Sequence, residues 1–164
     1  MGHPGDYRTF LAAHAGAVLP LEDVLNRAGA AAVLPDWPAR RRSAALLDDL
    51  HRLGQPPGRP RPVAAGGLGW VLGALYVLEG SRLGGQVLRR RVLAGPDAAC
   101  RAATAYLSHG AGRHPWPDFL RLMEASPHAV ADPAQAVAGA LDAFSLFEHA
   151  AQPRIQPEAS THAP

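Results

Sequence analysis

Apolar side chains recur every three or four positions along most of the chain, the spacing that places them on one face of an α-helix. The first such stretch predicts a helix that Asp6 caps and that Pro20 bends or restarts before it continues to Leu25. The apolar residues on its predicted buried face are Tyr7, Phe10, Leu11, Ala15 and Val18.

Glycine and proline divide the rest of the chain into further helical segments. The turn at 34–38 leads into the next helix, Gly54 ends that helix, and the proline-rich stretch 55–62 cannot be helical. Asp97 follows a Gly-Pro pair and is placed to cap a new helix. The expected helices therefore span residues 39–53, 65–93, 98–109, 116–125 and 132–150.

The chain lacks the alternation of apolar and polar residues that a half-buried β-strand shows, so we expect an all-α fold. Its 164 residues predict a single helical domain over 1–150 and a disordered tail over 151–164. Apolar runs stop short of the roughly 18 residues of a membrane span, and residues 1–6 do not resemble a secretory signal. These features predict a cytoplasmic protein with no membrane segment.

Charge and cysteine content argue against several kinds of site. Every basic residue other than histidine is arginine, and the formal net charge is only +2. The triplets Arg40–Arg42 and Arg89–Arg91 lack the interleaved aromatic residues of a nucleic-acid platform, so we interpret them as solvated helix faces and expect no nucleic-acid partner. Cys100 is the single cysteine, which excludes an internal disulfide and a multi-cysteine metal site, and we expect it to be a small buried residue.

One predicted helix carries many glycines, at positions 73, 80, 84 and 85. Each glycine inside a helix costs about 1 kcal/mol relative to alanine. An offsetting gain is therefore needed, and a position without a side chain allows another group to approach the helix backbone closely. Either a crossing helix or a planar cofactor would benefit, and the glycines alone do not choose between them.

Residues 75–86, Leu-Tyr-Val-Leu-Glu-Gly-Ser-Arg-Leu-Gly-Gly-Gln, resemble the distal-helix signature of heme oxygenases, in particular the bacterial group associated with bacteriophytochromes. Segments 7–22, 106–119 and 136–147 are similar to other helices of that family, so the resemblance covers most of residues 7–150. It implies an all-α, heme-oxygenase-like helical bundle that holds heme between a proximal and a distal helix. The implied activity is the O2- and electron-dependent opening of heme to biliverdin, with release of iron and carbon monoxide.

The resemblance also assigns roles to residues of the distal helix. The implied heme contacts are Gly80, Ser81, Arg82, Gly84 and Gly85, and the implied catalytic set is Gly80, Ser81 and Gly84. The glycines would let the backbone approach the oxygen bound to iron, and the Ser81 hydroxyl, where animal members carry Asp, would hold a water. Arg82 would either reach a heme propionate or lie in solvent. We expect Glu79 to be a capping or inter-helix partner rather than a catalytic group.

The resemblance leaves the iron ligand unknown. Family members carry the proximal histidine on a helix before the segment that Tyr7 matches, and here residues 1–6 stand in that place. We interpret His3 as a terminal residue and His14 as ordinary family background. The histidines expected to be solvated or capping residues are His51, His109, His114, His128 and His149.

Three possibilities follow from these observations. The intact distal motif favours a heme oxygenase, with heme as substrate and cofactor, an electron-donating reductase as partner and a bacteriophytochrome as a candidate partner. If the native protein lacks the proximal helix, the alternative is a catalytically degenerate binding or regulatory protein of the same fold. A start upstream of Met1 would restore the enzyme. A third possibility, a purely structural domain, would use the glycines for helix packing alone.

Overall fold

The computed structural model describes residues 4–112 and 115–152, and every regular element in these two ranges is a helix. This confirms the all-α fold expected from the sequence pattern. The helices are α1 (Pro4–Arg27), α2 (Ala30–Val33), α3 (Trp37–Arg40), α4 (Ser43–Arg52), α5 (Leu68–Leu93), α6 (Ala98–Ala102), α7 (Ala105–Ser108), α8 (Pro115–Glu124), α9 (Pro127–Ala131) and α10 (Pro133–Ala151).

Helix α5 lies at the centre of the bundle. It packs along α10 and also contacts α1, α7 and α8, while α1 packs against α4 and α10. One hydrophobic core joins these helices, because each turns an apolar face inward. The largest fully buried apolar side chains are Trp37, Phe119, Leu11, Leu21, Leu25, Leu34, Leu46, Leu50, Leu72, Leu75 and Leu78.

The single helix predicted over 39–53 is wrong, because the chain breaks between α3 and α4. The break is made by Glu22 of α1, whose buried carboxylate accepts hydrogen bonds from the backbone N–H of Arg42 at 2.7 Å and of Ser43 at 3.0 Å. A carboxylate from a distant helix thus caps the start of α4, where an unbroken helix would have used those N–H groups internally. Gly54, with φ of +61°, follows the end of α4 as expected.

The helix predicted over 98–109 is divided in the same way. Asp49 is fully buried on α4, and its carboxylate accepts the N–H groups of Ala105 at 3.0 Å and Tyr106 at 2.8 Å. The Tyr7 hydroxyl donates to the carbonyl of Ala103 at 2.7 Å. These tertiary hydrogen bonds end α6 and start α7.

Other predicted boundaries agree with the structure to within a few residues, including those of α5, α8 and α10. Asp97 caps α6 by accepting the N–H of Cys100 at 3.0 Å, and Cys100 is buried as expected. Helix α1 begins earlier than predicted, so Asp6 lies in its first turn, and it passes Pro20 without ending. The short helices α2 and α9 were not predicted from the sequence.

The interpretation of Arg40–Arg42 as a solvated helix face is wrong. Arg40 is 8% exposed and Arg42 is 3% exposed, whereas Arg41 faces solvent. Long arginine side chains can be buried where polar partners receive the guanidinium, and both buried arginines have such partners in this structure.

Some predictions fall outside the described residues, namely those for His3, His114 and residues 153–164 of the predicted tail. The proposed domain boundary after residue 150 stays a prediction. Across residues 4–112 and 115–152, none of the helices combines the length and the apolar character required to cross a membrane.

Candidate functional site

A cavity of about 480 Å³ lies between α1, the second half of α5 and the segment that begins with α7. Its walls combine apolar, imidazole and guanidinium groups. The residues that line it are Phe10, His14, Arg42, Ser81, Arg82, Gly84, Gly85, Gln86, Leu88, Arg89, Arg90, Tyr106, Leu107, Ser108, His109, Gly110, Ala111 and Gly112.

Two glycines of α5 form part of the cavity wall. A Cβ atom added at Gly84 would meet no other atom within 4 Å, and one at Gly85 would lie 3.7 Å from the side chain of Leu107. Both positions therefore have room for a Cβ atom in this structure. Their lack of one widens the cavity and exposes the helix backbone to whatever enters it.

The residues predicted as distal contacts are only partly brought together. Ser81, Arg82, Gly84 and Gly85 line the cavity. Gly80 is not among the lining residues, because its free side faces the indole of Trp116, 3.4 Å from an added Cβ. In this structure Gly80 therefore serves the packing of α8 against α5.

Glu79 forms a buried ion cluster with two arginines. Its carboxylate is fully buried and accepts hydrogen bonds from Arg82 at 2.7 and 2.9 Å and from Arg40 at 2.9 Å. Arg82 also donates to the carbonyls of Arg40 at 2.6 Å and His109 at 3.2 Å. The expectation that Glu79 is an inter-helix partner is confirmed, and Arg82, at 7% exposed, does not lie in solvent.

Ser81 is held by a third buried arginine. Arg42 donates through one terminal nitrogen to the Ser81 hydroxyl oxygen at 2.9 Å and to the carbonyl of Leu78 at 2.8 Å. Its guanidinium carbon lies 5.0 Å from the centre of the Tyr106 ring. Because Arg42 stands between α3 and α4, this contact ties the start of α4 to the distal segment of α5.

Two histidines face the cavity, although the sequence pattern did not single them out. His14 packs between the rings of Phe10, 3.8 Å away between centroids, and Phe147, 5.4 Å away. Burial, and then the charge of Arg42, lower the pKa of His14 to about 4, so its imidazole is neutral near pH 7. The signal available in the sequence was the spacing of four residues from Phe10, which places both side chains on one helix face.

His109 lines the cavity beyond the end of α7. Burial, followed by the charges of Arg82 and Arg42, lowers the pKa of its imidazole. Its Nδ1 is buried and has no hydrogen-bond partner among the residues that the structure describes. His109 is the C-cap residue of α7, so the capping role expected for it is confirmed, whereas a solvated ring is wrong because Nδ1 is buried.

The charge of the cavity has one sign. Its described lining includes four arginines but neither aspartate nor glutamate, and the arginines are Arg42, Arg82, Arg89 and Arg90. The Nε atom of Arg89 is buried and has no hydrogen-bond partner in the described part of the chain. Apolar side chains such as Phe10, Leu88 and Leu107 complete the walls. The cavity therefore suits a ligand with an apolar body and negatively charged groups.

The described residues do not form a binding site for a free metal ion. In the described ranges, no group of three histidine, cysteine, aspartate or glutamate side chains is placed to hold one. The two cavity histidines both favour the neutral form, in which one ring nitrogen of each keeps a lone pair.

Comparison with known proteins identifies a relative of the chain. No protein-family model matches it. A protein named heme oxygenase from Xanthomonas campestris pv. campestris (strain 8004) is 34% identical over 113 residues, which cover 68% of this chain and 67% of that protein. Identity at this level, over two thirds of both chains and on an all-α fold, establishes that the chain belongs to the heme oxygenase family.

Proposed function

We propose that the cavity binds heme and that the protein opens the macrocycle oxidatively to biliverdin, releasing iron and carbon monoxide, with O2 and electrons from a reductase. The observation that carries the proposal is the position of the glycines of the distal motif. Gly84 and Gly85 form part of the wall of a 480 Å³ cavity instead of packing tightly against a helix. Membership of the heme oxygenase family supports the same ligand.

The lining residues fit heme in three respects. The volume lies within the range of about 300–1,000 Å³ that small-molecule sites occupy. Phe10, Leu88 and Leu107 offer apolar surface to the ring. The arginines offer charge to the two propionates, and Arg89 is our candidate for this contact because its buried Nε has no partner among the described residues. Arg82 is a weaker candidate, since Glu79 and two carbonyls already occupy its guanidinium.

The protein side of the reaction follows from the same residues. Bound heme would supply the oxidative reactivity, as cofactors of this kind do. Ser81, Gly84 and Gly85 would orient the ring and leave the helix backbone and ordered water to approach its face. Gly80 would contribute indirectly, by letting Trp116 pack against α5. His14 and His109 are the imidazoles of the described cavity wall that could reach iron.

The partners of the reaction belong to the same proposal. The electrons would come from a reductase, and the resemblance of residues 75–86 to the bacteriophytochrome-associated group suggests a bacteriophytochrome as acceptor of the product. The alternative is a heme-binding protein of this family without turnover.

The experiment that tests the proposal is a hemin titration of the purified chain followed in the Soret region, with ascorbate and air added afterwards. We expect a saturable Soret band that decays as biliverdin absorption grows. Saturable uptake without bilin formation would establish the binding-protein alternative. If the Soret band were no larger than that of hemin in buffer without protein, both the enzyme and the heme-binding alternative would be overturned.

A further inference from the structure

Arg42 is an unusual buried cation. It is 3% exposed, and no aspartate or glutamate in the described part of the chain forms an ion pair with its guanidinium. Its Nε atom is buried without a hydrogen-bond partner among those residues. A buried charge without a counter-ion costs free energy, so such residues are candidates for function.

Arg42 is held both at its backbone and at its guanidinium. Glu22 receives the N–H of Arg42 at 2.7 Å, which fixes where the side chain leaves the start of α4. The guanidinium then extends over the Tyr106 ring to reach the carbonyl of Leu78 and the hydroxyl of Ser81. Arg42 is therefore presented to α5 in a defined position, at the first polar residue of the distal segment that lines the cavity.

This contact decides what the Ser81 hydroxyl can do. The hydroxyl donates its single proton to the carbonyl of Leu78 at 2.7 Å and accepts from Arg42 at 2.9 Å. A serine hydroxyl has one proton and two lone pairs, so one lone pair is left for the cavity. Water or ligand atoms that bond Ser81 must therefore donate to it.

We propose that Arg42 is the positioning residue of the distal site, which orients the Ser81 hydroxyl as a hydrogen-bond acceptor and places a buried positive charge behind it. The proposal rests on heme binding in the cavity, the function proposed above. Arg42 lies outside the glycine motif, some forty residues earlier in the chain. In a poorly solvated site a charge of this kind acts strongly on a neighbouring ligand.

Carbon monoxide is the probe for this charge. We would load the protein with hemin, reduce it with dithionite, add carbon monoxide and record the C–O stretching band. A positive charge near the ligand oxygen strengthens back-donation from iron and lowers the stretching frequency. Arg42→Gln should therefore shift the band to higher wavenumber, and Arg42→Lys should restore most of the wild-type position.

Arg41→Gln is the matched control, because it removes the same charge from the next residue, whose side chain is exposed and does not line the cavity. Its band should coincide with that of the wild type. An unmoved band in Arg42→Gln, or an equal shift in Arg41→Gln, would overturn the proposal.

Ser81→Ala keeps the test usable if Arg42→Gln does not fold. Ser81 is half-buried at the cavity wall, and this variant removes the acceptor while leaving the bond from Arg42 to Leu78. The band should move in this variant too, whereas an unmoved band would show that the pair has a structural role alone and would overturn the proposal. If the wild type takes up no hemin, the proposed function itself fails, and the two failures are thus distinguishable.

Discussion

The two halves of α5 use glycine in opposite ways. In the first half, Leu68–Gly80, a Cβ atom at Gly73 would overlap the carbonyl of Ala136, and one at Gly139 of α10 would overlap the carbonyl of Trp70. Here glycine allows two helix backbones to touch. In the second half, Ser81–Leu93, Gly84 meets nothing within 4 Å and adjoins the cavity.

The role of a glycine in this helix therefore depends on the groups that surround it in the folded protein and not on the local sequence. A crossing helix and a ligand space were the two explanations open from the sequence, and each applies to one half of the same helix. The physical difference is burial: Val71, Leu72 and Leu75 are fully buried in the first half, whereas Leu83 and Val87 are about half exposed in the second. Substitutions in the first half should therefore affect stability, and those in the second should affect the ligand.

The largest effect is expected near the end of the packed half, at Glu79. Glu79→Gln removes the carboxylate that Arg40 and Arg82 share in the core, and we expect a loss of about 3–5 kcal/mol in the free energy of unfolding, measured in urea. The matched control is Asp23→Asn, which breaks the exposed pair with Arg27 and should cost less than about 1 kcal/mol. Equal losses of unfolding free energy in the two variants would contradict the assignment of Glu79 to a buried ion cluster.

The next effect tests the close contact itself. Gly73→Ala places a methyl group against the backbone of α10, and we expect the free energy of unfolding to fall by about 3 kcal/mol because the two helices must separate. The same substitution at Gly84 meets open space and should raise it, by up to about 1 kcal/mol. Urea unfolding of both variants measures these two changes. A change of the same sign in both variants would contradict the difference proposed between the two halves of α5.

The free energy of unfolding should depend on pH through His14, which lines the cavity. Its pKa is lowered to about 4 in the folded protein, while the unfolded chain takes up the proton near pH 6.5. The unfolded state therefore binds more protons between these two pH values. The contribution of His14 to the free energy of unfolding is thus fully present above about pH 6.5 and is lost as the pH falls through 4. We expect a loss of about 2 kcal/mol between pH 7 and pH 4.5.

The control for this pH dependence is His14→Leu, which keeps apolar packing beside Phe10 and removes the titration. Urea unfolding at both pH values should show a smaller loss in the variant than in the wild type. An identical loss would mean that another group causes the acid sensitivity.

The smallest effect concerns the ligand. Gly84→Leu should fill part of the cavity and weaken hemin binding at least tenfold, about 1.4 kcal/mol, with little change in stability because the added Cβ meets no protein atom within 4 Å. Val87→Leu, on the exposed surface of the same helix and outside the cavity lining, should leave hemin affinity unchanged. Unchanged affinity in Gly84→Leu would remove the distal segment from the proposed heme site.

Much of the fold could be predicted from local sequence. Helical periodicity found α1, α5, α8 and α10, because these helices depend on an apolar face and on their own backbone hydrogen bonds. The predictions of single helices over 39–53 and 98–109 were wrong for one shared reason. Glu22 and Asp49 cap chain segments that are 20 or more residues away, and no local pattern announces such a partner.

The candidate site divides in the same manner. The distal segment was visible in the sequence, since the run from Ser81 to Gly85 is continuous and carries a family resemblance. The opposite wall was not, because His14, Arg42 and His109 come from three separate parts of the chain. The buried state of Arg42 was missed altogether, since arginine in a triplet is usually solvated.

The amino-acid sequence alone determined that the chain is helical, which of its helices carries the glycines, and which family that helix resembles, because these properties depend on residues close together in the chain. Folding decided which glycine touches a helix and which borders a cavity. It also decided which arginines lose their water and which histidines favour the neutral form. Burial and electrostatics depend on every group within a few ångströms, and only the packed chain brings those groups together.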